Sequence, residues 1–166
     1  LVEIAVVGAR GLVGHTVTLK ESAVRAARTR PLGATMSRFD STSLSGLGDV
    51  AAVDFGGTNF DVIVSRQGAL KRYFFPAHLP FDVGVLRAVL ARSGVAEPPE
   101  LRWIAVTGGR HRTLPAELDG TPIVKVEELV AIGRGGLVAS GLEEAAVISL
   151  GTGTAIVGAR RDRLVH

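Results

Sequence analysis

Residues 50–65 read VAAVDFGGTNFDVIVS, two apolar runs joined across a double glycine. Val50–Phe55 and Phe60–Ser65 have the length and β-branched content of strands. The Gly56-Gly57 pair between them supports two readings. One is a tight hairpin turn. The other is a loop whose consecutive backbone N–H groups, unshielded by side chains, form a nest for phosphate oxygens, with the Thr58 hydroxyl as a further donor. Asp54, at the end of the first strand, suits a Mg²⁺ ion held directly or through water, because a hard cation prefers carboxylate oxygen.

The surroundings extend the pattern. Ala69–Phe75 is a third strand after the turn at Gln67-Gly68, so the segment predicts an antiparallel meander. A helix follows from about Asp82 to Ser93, with Val83, Leu86, Val89 and Leu90 on one face and Asp82 as its cap. Leu101–Val106 is a buried strand leading into Thr107-Gly108-Gly109, and Ile123–Val126 is another. Glu127–Ser140 reads as a helix closed by Gly141. Ala145–Leu150 and Ala155–Ala159 are strands flanking GTGT at 151–154. That second loop repeats the chemistry of the first: Gly151 and Gly153 permit close approach, and Thr152 and Thr154 donate. Either loop alone could be only a hairpin turn; two of them, each after an apolar strand and separated by an αβ unit, favour phosphate. The order βββαβαβ with a mixed sheet predicts the ribonuclease-H-like first half of an actin-like ATPase fold, truncated at its C-terminus.

Composition narrows the classes. The 166 residues contain no cysteine, which excludes disulfides, thiolate metal sites, iron–sulfur clusters and cysteine nucleophiles within this stretch. No apolar run is long enough to cross a bilayer, and no signal peptide is evident, so a cytoplasmic protein without membrane partners is expected. The net charge of +3 arises within residues 1–48, which hold six basic and three acidic groups, whereas the remainder holds 13 of each. Bulk charge on the motif-bearing part therefore gives no support to a nucleic-acid partner.

A seam divides the chain. Residues 31–48 turn to Ser, Thr, Gly and Arg, the composition of a linker, and the single Met is Met36. Residues 1–48 are accordingly expected to be an N-terminal extension and linker, with the ATPase domain over 49–166. Within the extension, GARGLVG at 8–14 follows a plausible strand, Val2–Val7. A dinucleotide loop also requires a helix and a second strand ending in an acidic residue about 20 residues on. The helix candidate here, Val17–Thr29, runs into Pro31 with no such strand in reach, so GARGLVG is read as an incidental strand and turn.

DFGGTNFDVIV, VTGGRHRTLP, VEELVAIGRGGLVASG and VISLGTGTAIV, in that order, resemble the N-terminal half of a type II (fumble-like) pantothenate kinase, over about residues 50–166. The resemblance implies phosphoryl transfer from Mg-ATP to the hydroxyl of pantothenate, the first step of coenzyme A biosynthesis. Cofactors would be ATP and Mg²⁺, with a homodimer as the compatible assembly. Gly56, Gly57, Thr58 and Gly151–Thr154 (with Thr152 and Gly153) would cradle phosphates and Asp54 would organise the metal. The family places a glutamate shortly after the TGG turn as the base, a position met by Glu117 with one residue of offset. A carboxylate suits the role, since the loose transition state needs positioning and mild base assistance. Glu127 and Glu128 are read mainly as helix-start carboxylates facing the positive dipole end, with one able to reach the substrate. Arg110, His111 and Arg112 are read as an exposed basic loop. Asp61 stands where better-known pantothenate kinases carry lysine. GGTxxD also occurs in hydantoinase/oxoprolinase-type ATPases and in BadF-type dehydratase activators, the latter disfavoured by the missing cysteines. A non-catalytic ligand-binding module is the remaining alternative.

Overall fold

The computed structural model describes residues 2–8, 16–19, 48–77, 81–96, 98–150, 153–161 and 163–165. In chain order the strands and helices are β1 (Val2–Gly8), β2 (Thr16–Leu19), β3 (Val50–Phe55), β4 (Asn59–Arg66), β5 (Ala69–Pro76), α1 (Val83–Arg92), β6 (Trp103–Gly108), β7 (Glu117–Leu118), β8 (Thr121–Lys125), α2 (Glu128–Ser140), β9 (Glu144–Leu150), β10 (Thr154–Arg160) and β11 (Arg163–Val165). They fall into two units, residues 40–127 and residues 1–39 with 128–166.

The 40–127 unit is built on a six-stranded sheet of order β5-β4-β3-β6-β8-β7. Strands β3, β4 and β5 form the expected antiparallel meander, while β6 lies parallel to β3 and β8 parallel to β6. Alternation along the strands sorts the side chains. Ala51, Val53, Phe55, Phe60, Val62, Val64, Ile104 and Val106 share one core cluster with Leu86, Val89 and Leu90 of α1. Those three helix residues recur at the i, i+3, i+4 spacing of one helical face. Phe81, just before the helix, stacks at 3.5 Å between centroids on Phe55, which meets Phe60 edge-on at 5.2 Å. Asp82 caps α1 through its side chain, accepting from the Val85 N–H at 2.9 Å, which contributes about 1 kcal/mol. On the opposite face the register aligns Asp61, Asp54 and Thr107 across adjacent strands.

The second unit has a five-stranded sheet of order β11-β10-β9-β1-β2. Leu137 of α2 packs with Ala145, Val147 and Ala159. The close approach depends on Gly136, where a Cβ would stand 2.5 Å from both methyls of Val147. This division differs from the boundary expected at residue 48. Val2–Gly8 runs parallel to Glu144–Leu150, with Gly8 beside Leu150. An apolar strand needs partners for its backbone N–H and C=O groups, and β9 supplies them. Thr16–Leu19 pairs antiparallel with β1, so the helix expected from Val17 does not begin there; residues 20–30, and nearly all of the expected linker, lie outside the described residues. An antiparallel second strand also differs from the parallel one that a dinucleotide-binding loop requires. Among the described residues no helix is long and apolar enough to span a membrane.

Candidate functional site

The site grows from the carboxyl ends of the parallel strands β3, β6 and β8, where crossover connections in an α/β sheet leave ligand-sized crevices. Asp54 is the penultimate residue of β3 and is exposed. Gly56 is half-buried, and Gly57 and Thr58 are exposed in the turn to β4. The Thr58 carbonyl accepts the Ala77 N–H at 2.9 Å, which ties this turn to the end of β5.

The Thr107-Gly108-Gly109 turn crosses directly over Asp54. Gly108 has φ +84°, and a Cβ there would stand 2.5 Å from Asp54 Oδ1 and 2.7 Å from the Phe55 carbonyl oxygen. That carbonyl accepts the Gly109 N–H at 2.9 Å. Only glycine meets both the left-handed backbone and the contact, so this turn holds the Asp54 carboxylate in place. Thr107 is the cross-strand neighbour of Asp54, and its buried hydroxyl has no hydrogen-bond partner among the described residues.

Asp61 is the neighbour of Asp54 on the other side. Arg72 binds it at 3.0 Å and lies over the Phe74 ring at 4.3 Å. The guanidinium thus offsets a second negative charge beside the one at Asp54. Among the described residues no set of three metal-binding side chains gathers. Mg²⁺ typically keeps several waters and takes one or two carboxylates plus substrate phosphates. Asp54, with the unpartnered Thr107 hydroxyl next to it, fits that mode of binding.

Three expectations change at this end of the sheet. First, Glu117 is exposed on the short strand β7, paired with Pro122 near the start of β8. Asp54 lies across β6 and β8 and at the opposite end of the strands. At about 4.8 Å per strand and 3.3 Å per residue, the two sit nearly 20 Å apart. Second, α2 begins at Glu128, so Glu127 precedes it. The Val126 N–H donates to the Val106 carbonyl at 2.8 Å, which puts Glu127 level with the Thr107-Gly108 turn. Arg112 grips its carboxylate through Nε at 3.2 Å and Nη2 at 2.5 Å. Arg112, as hydrogen-bond donor and as charge, holds the Glu127 carboxyl below the usual carboxylate range, with His111 a smaller contributor; the same contact raises Arg112. Third, only Arg110 and Arg112 of the expected basic loop are exposed. His111 is 5 % exposed, with Nδ1 2.6 Å from the Gly108 carbonyl oxygen and Nε2 3.9 Å from Glu127 Oε1.

Of the GTGT loop, Gly153 is exposed and Thr154 opens β10, paired with Leu150. Gly151 and Thr152 lie outside the described residues.

No family model and no curated protein matches the chain. Solved structures do. A candidate N-acetylglucosamine kinase from Porphyromonas gingivalis aligns at TM-score 0.51 and 16 % identity over 70 % of this chain and 46 % of its own. A ROK family glucokinase from Streptomyces griseus, solved with glucose and AMPPNP, aligns at 0.50 and 17 %, over 71 % and 46 %. The activator of 2-hydroxyisocaproyl-CoA dehydratase from Clostridium difficile, with bound ADPNP, aligns at 0.50 and 17 %, over 71 % and 44 %.

The fold is the actin type.

The chain spans less than half the length of each of these proteins. The expected mixed α/β class holds, with a mixed six-stranded sheet in the 40–127 unit.

Proposed function

We propose that this chain carries the phosphate- and metal-binding part of an ATP-dependent phosphotransferase of actin-type fold. The observation that carries the reading is the Thr107–Gly109 turn locked over Asp54, with a second carboxylate, Glu127, level with it two strands away. At about 4.8 Å per strand, the two backbones lie near 10 Å apart, a spacing compatible with a phosphoryl group and an acceptor hydroxyl at this end of the sheet. Asp54 and the Thr107 hydroxyl would hold Mg²⁺ through its waters, and the N–H groups of Gly56–Thr58 would meet phosphate oxygens. Mg²⁺ supplies neutralisation of charge on the transferring phosphoryl group. Gly151–Thr154 stands as a second phosphate segment on its sequence.

In this reading Glu127, rather than Glu117, takes the proton of an acceptor hydroxyl. Arg112 keeps it ionised at rest. A base of low basicity suits a transition state that asks mainly for positioning. Pantothenate is the acceptor implied by the sequence resemblance. The kinases and the activator that share the fold support a sugar hydroxyl, or water in an activator-type ATPase, at least as well; Asp61 in place of lysine favours that second reading.

The test is ADP release from Mg-ATP by the intact protein, with pantothenate, glucose, N-acetylglucosamine or no acceptor. Acceptor-dependent release identifies the kinase and its substrate class, and acceptor-independent release supports the ATPase. Unchanged ATP binding and turnover in Asp54→Asn would remove the metal assignment.

A further inference from the structure

Glu127 has two neighbours of different kinds. Arg112 is exposed and holds both carboxylate oxygens, whereas His111 is buried and approaches Oε1 at 3.9 Å. The far side of the imidazole is fixed, with Nδ1 2.6 Å from the Gly108 carbonyl oxygen. A carbonyl oxygen only accepts, so in the neutral ring the proton sits on Nδ1 and Nε2 presents a lone pair. That Nε2 atom is buried, has no hydrogen-bond partner among the described residues, and lies 3.9 Å from Glu127 Oε1. With the ring neutral, a lone pair aimed at the Glu127 carboxylate gains nothing; it becomes useful when Glu127 carries a proton.

We propose that His111 is the proton relay behind Glu127, a positioning residue for phosphoryl transfer; this rests on the reading of Glu127 as the base. The acceptor oxygen forms its bond to the γ-phosphorus with a lone pair. The bond from that phosphorus to the bridging oxygen breaks, and its electron pair leaves on ADP. The hydroxyl proton passes to Glu127 Oε1 and then to His111 Nε2. The resulting imidazolium is held between the Gly108 carbonyl oxygen and the regenerated Glu127 carboxylate. When product departs, the proton returns through Glu127 to solvent. Arg112 bonds the same carboxylate, and on β8 Lys125 Nζ donates to the Arg112 carbonyl at 3.1 Å and the Leu114 carbonyl at 2.5 Å. Asp54 lies against the far side of the Gly108 turn.

His111→Asn separates relay from scaffold, because an Asn amide can still donate to the Gly108 carbonyl while the Nε2 position is removed. The expected result is wild-type melting temperature and ATP affinity, an unchanged acceptor KM, and a kcat lowered about tenfold, below the roughly 10²–10⁴ of direct proton transfer. A wild-type kcat overturns the relay. Should the variant fail to fold, imidazole ¹⁵N spectra of the wild-type protein decide. They are expected to show the Nδ1–H tautomer, and Glu127→Gln should shift the Nε2 resonance as the new amide donates to it. An Nε2–H tautomer, or an Nε2 resonance indifferent to Glu127→Gln, overturns the proposal. Absence of ADP release from Mg-ATP by the wild-type protein, with or without any acceptor, overturns the reading of function itself, a separate outcome from either.

Discussion

Replacing Gly108 by alanine tests the geometry on which the site depends. Two costs fall on this one methyl group. The backbone sits at φ +84°, where a residue with a Cβ loses about 1–2 kcal/mol. The new Cβ also stands 2.7 Å from the Phe55 carbonyl oxygen and 2.8 Å from its carbon, so β3 and the turn must part. Separation breaks the 2.9 Å bond from the Gly109 N–H to that carbonyl, worth about 1 kcal/mol. The sum is about 2–3 kcal/mol. At roughly 4–8 °C per kcal/mol for a unit of 60–100 residues, melting of the 40–127 unit should fall by on the order of 10 °C or more. The same methyl meets Asp54 Oδ1 at 2.5 Å, so Mg-ATP affinity should fall beyond what the loss of stability explains. Gly109→Ala is the internal control, because its Cβ would lie 3.5 Å from the Phe55 oxygen, in ordinary contact and without the left-handed backbone. Its melting temperature should stay within a few degrees of wild type. Thermal scans and calorimetric Mg-ATP titrations of both variants read the difference. Equal behaviour of the pair, or a Gly108→Ala protein within 1 °C of wild type, would refute the reasoning.

Glu127→Gln should lower acceptor-dependent kcat by about 10²–10⁴ while ATP still binds, and Glu117→Gln should leave turnover unchanged; steady-state kinetics of the two variants compare them directly. Arg112→Ala releases Glu127 from the contact that keeps its carboxyl low. Because a lowered carboxyl stays ionised to lower pH, its release should move the acidic limb of the pH–rate profile to higher pH, measurable as kcat against pH; an unmoved limb counts against Glu127 as the titrating base. In the second unit, Gly136→Ala drives a methyl into both Val147 methyls, each 2.5 Å from the built Cβ. Overpacking of this kind typically costs about 1–3 kcal/mol, and adding Val147→Ala should return part of it in urea titrations.

Much of the 40–127 unit was legible in the chain itself. The meander, α1 with its Asp82 cap, and the strands on either side of the TGG turn follow from hydrophobic period and turn chemistry, which act over a few residues. Strand ends differed from expectation by one or two residues, and the two-residue β7 left no periodic signal. The partner of Val2–Gly8 was not legible. Its pairing with Glu144–Leu150 joins segments far apart in sequence, and neither segment contains anything that names the other. The exposed reading of His111 failed for a related reason. A histidine between two arginines looks solvated until the Arg110 backbone, at φ +60°, turns the chain and drops the imidazole beneath Gly108.

By itself, then, the sequence determined most of the strands and helices of the 40–127 unit, where its glycine turns lie, and that Asp54 stands at the end of a buried strand. Tertiary structure alone decided which carboxylate accompanies it. Glu117 and Glu127 are ten residues apart and similar in local setting. The parallel register of β6 and β8, set by which apolar faces bury together, carries Glu127 to the carboxyl end of the sheet and leaves Glu117 at the other.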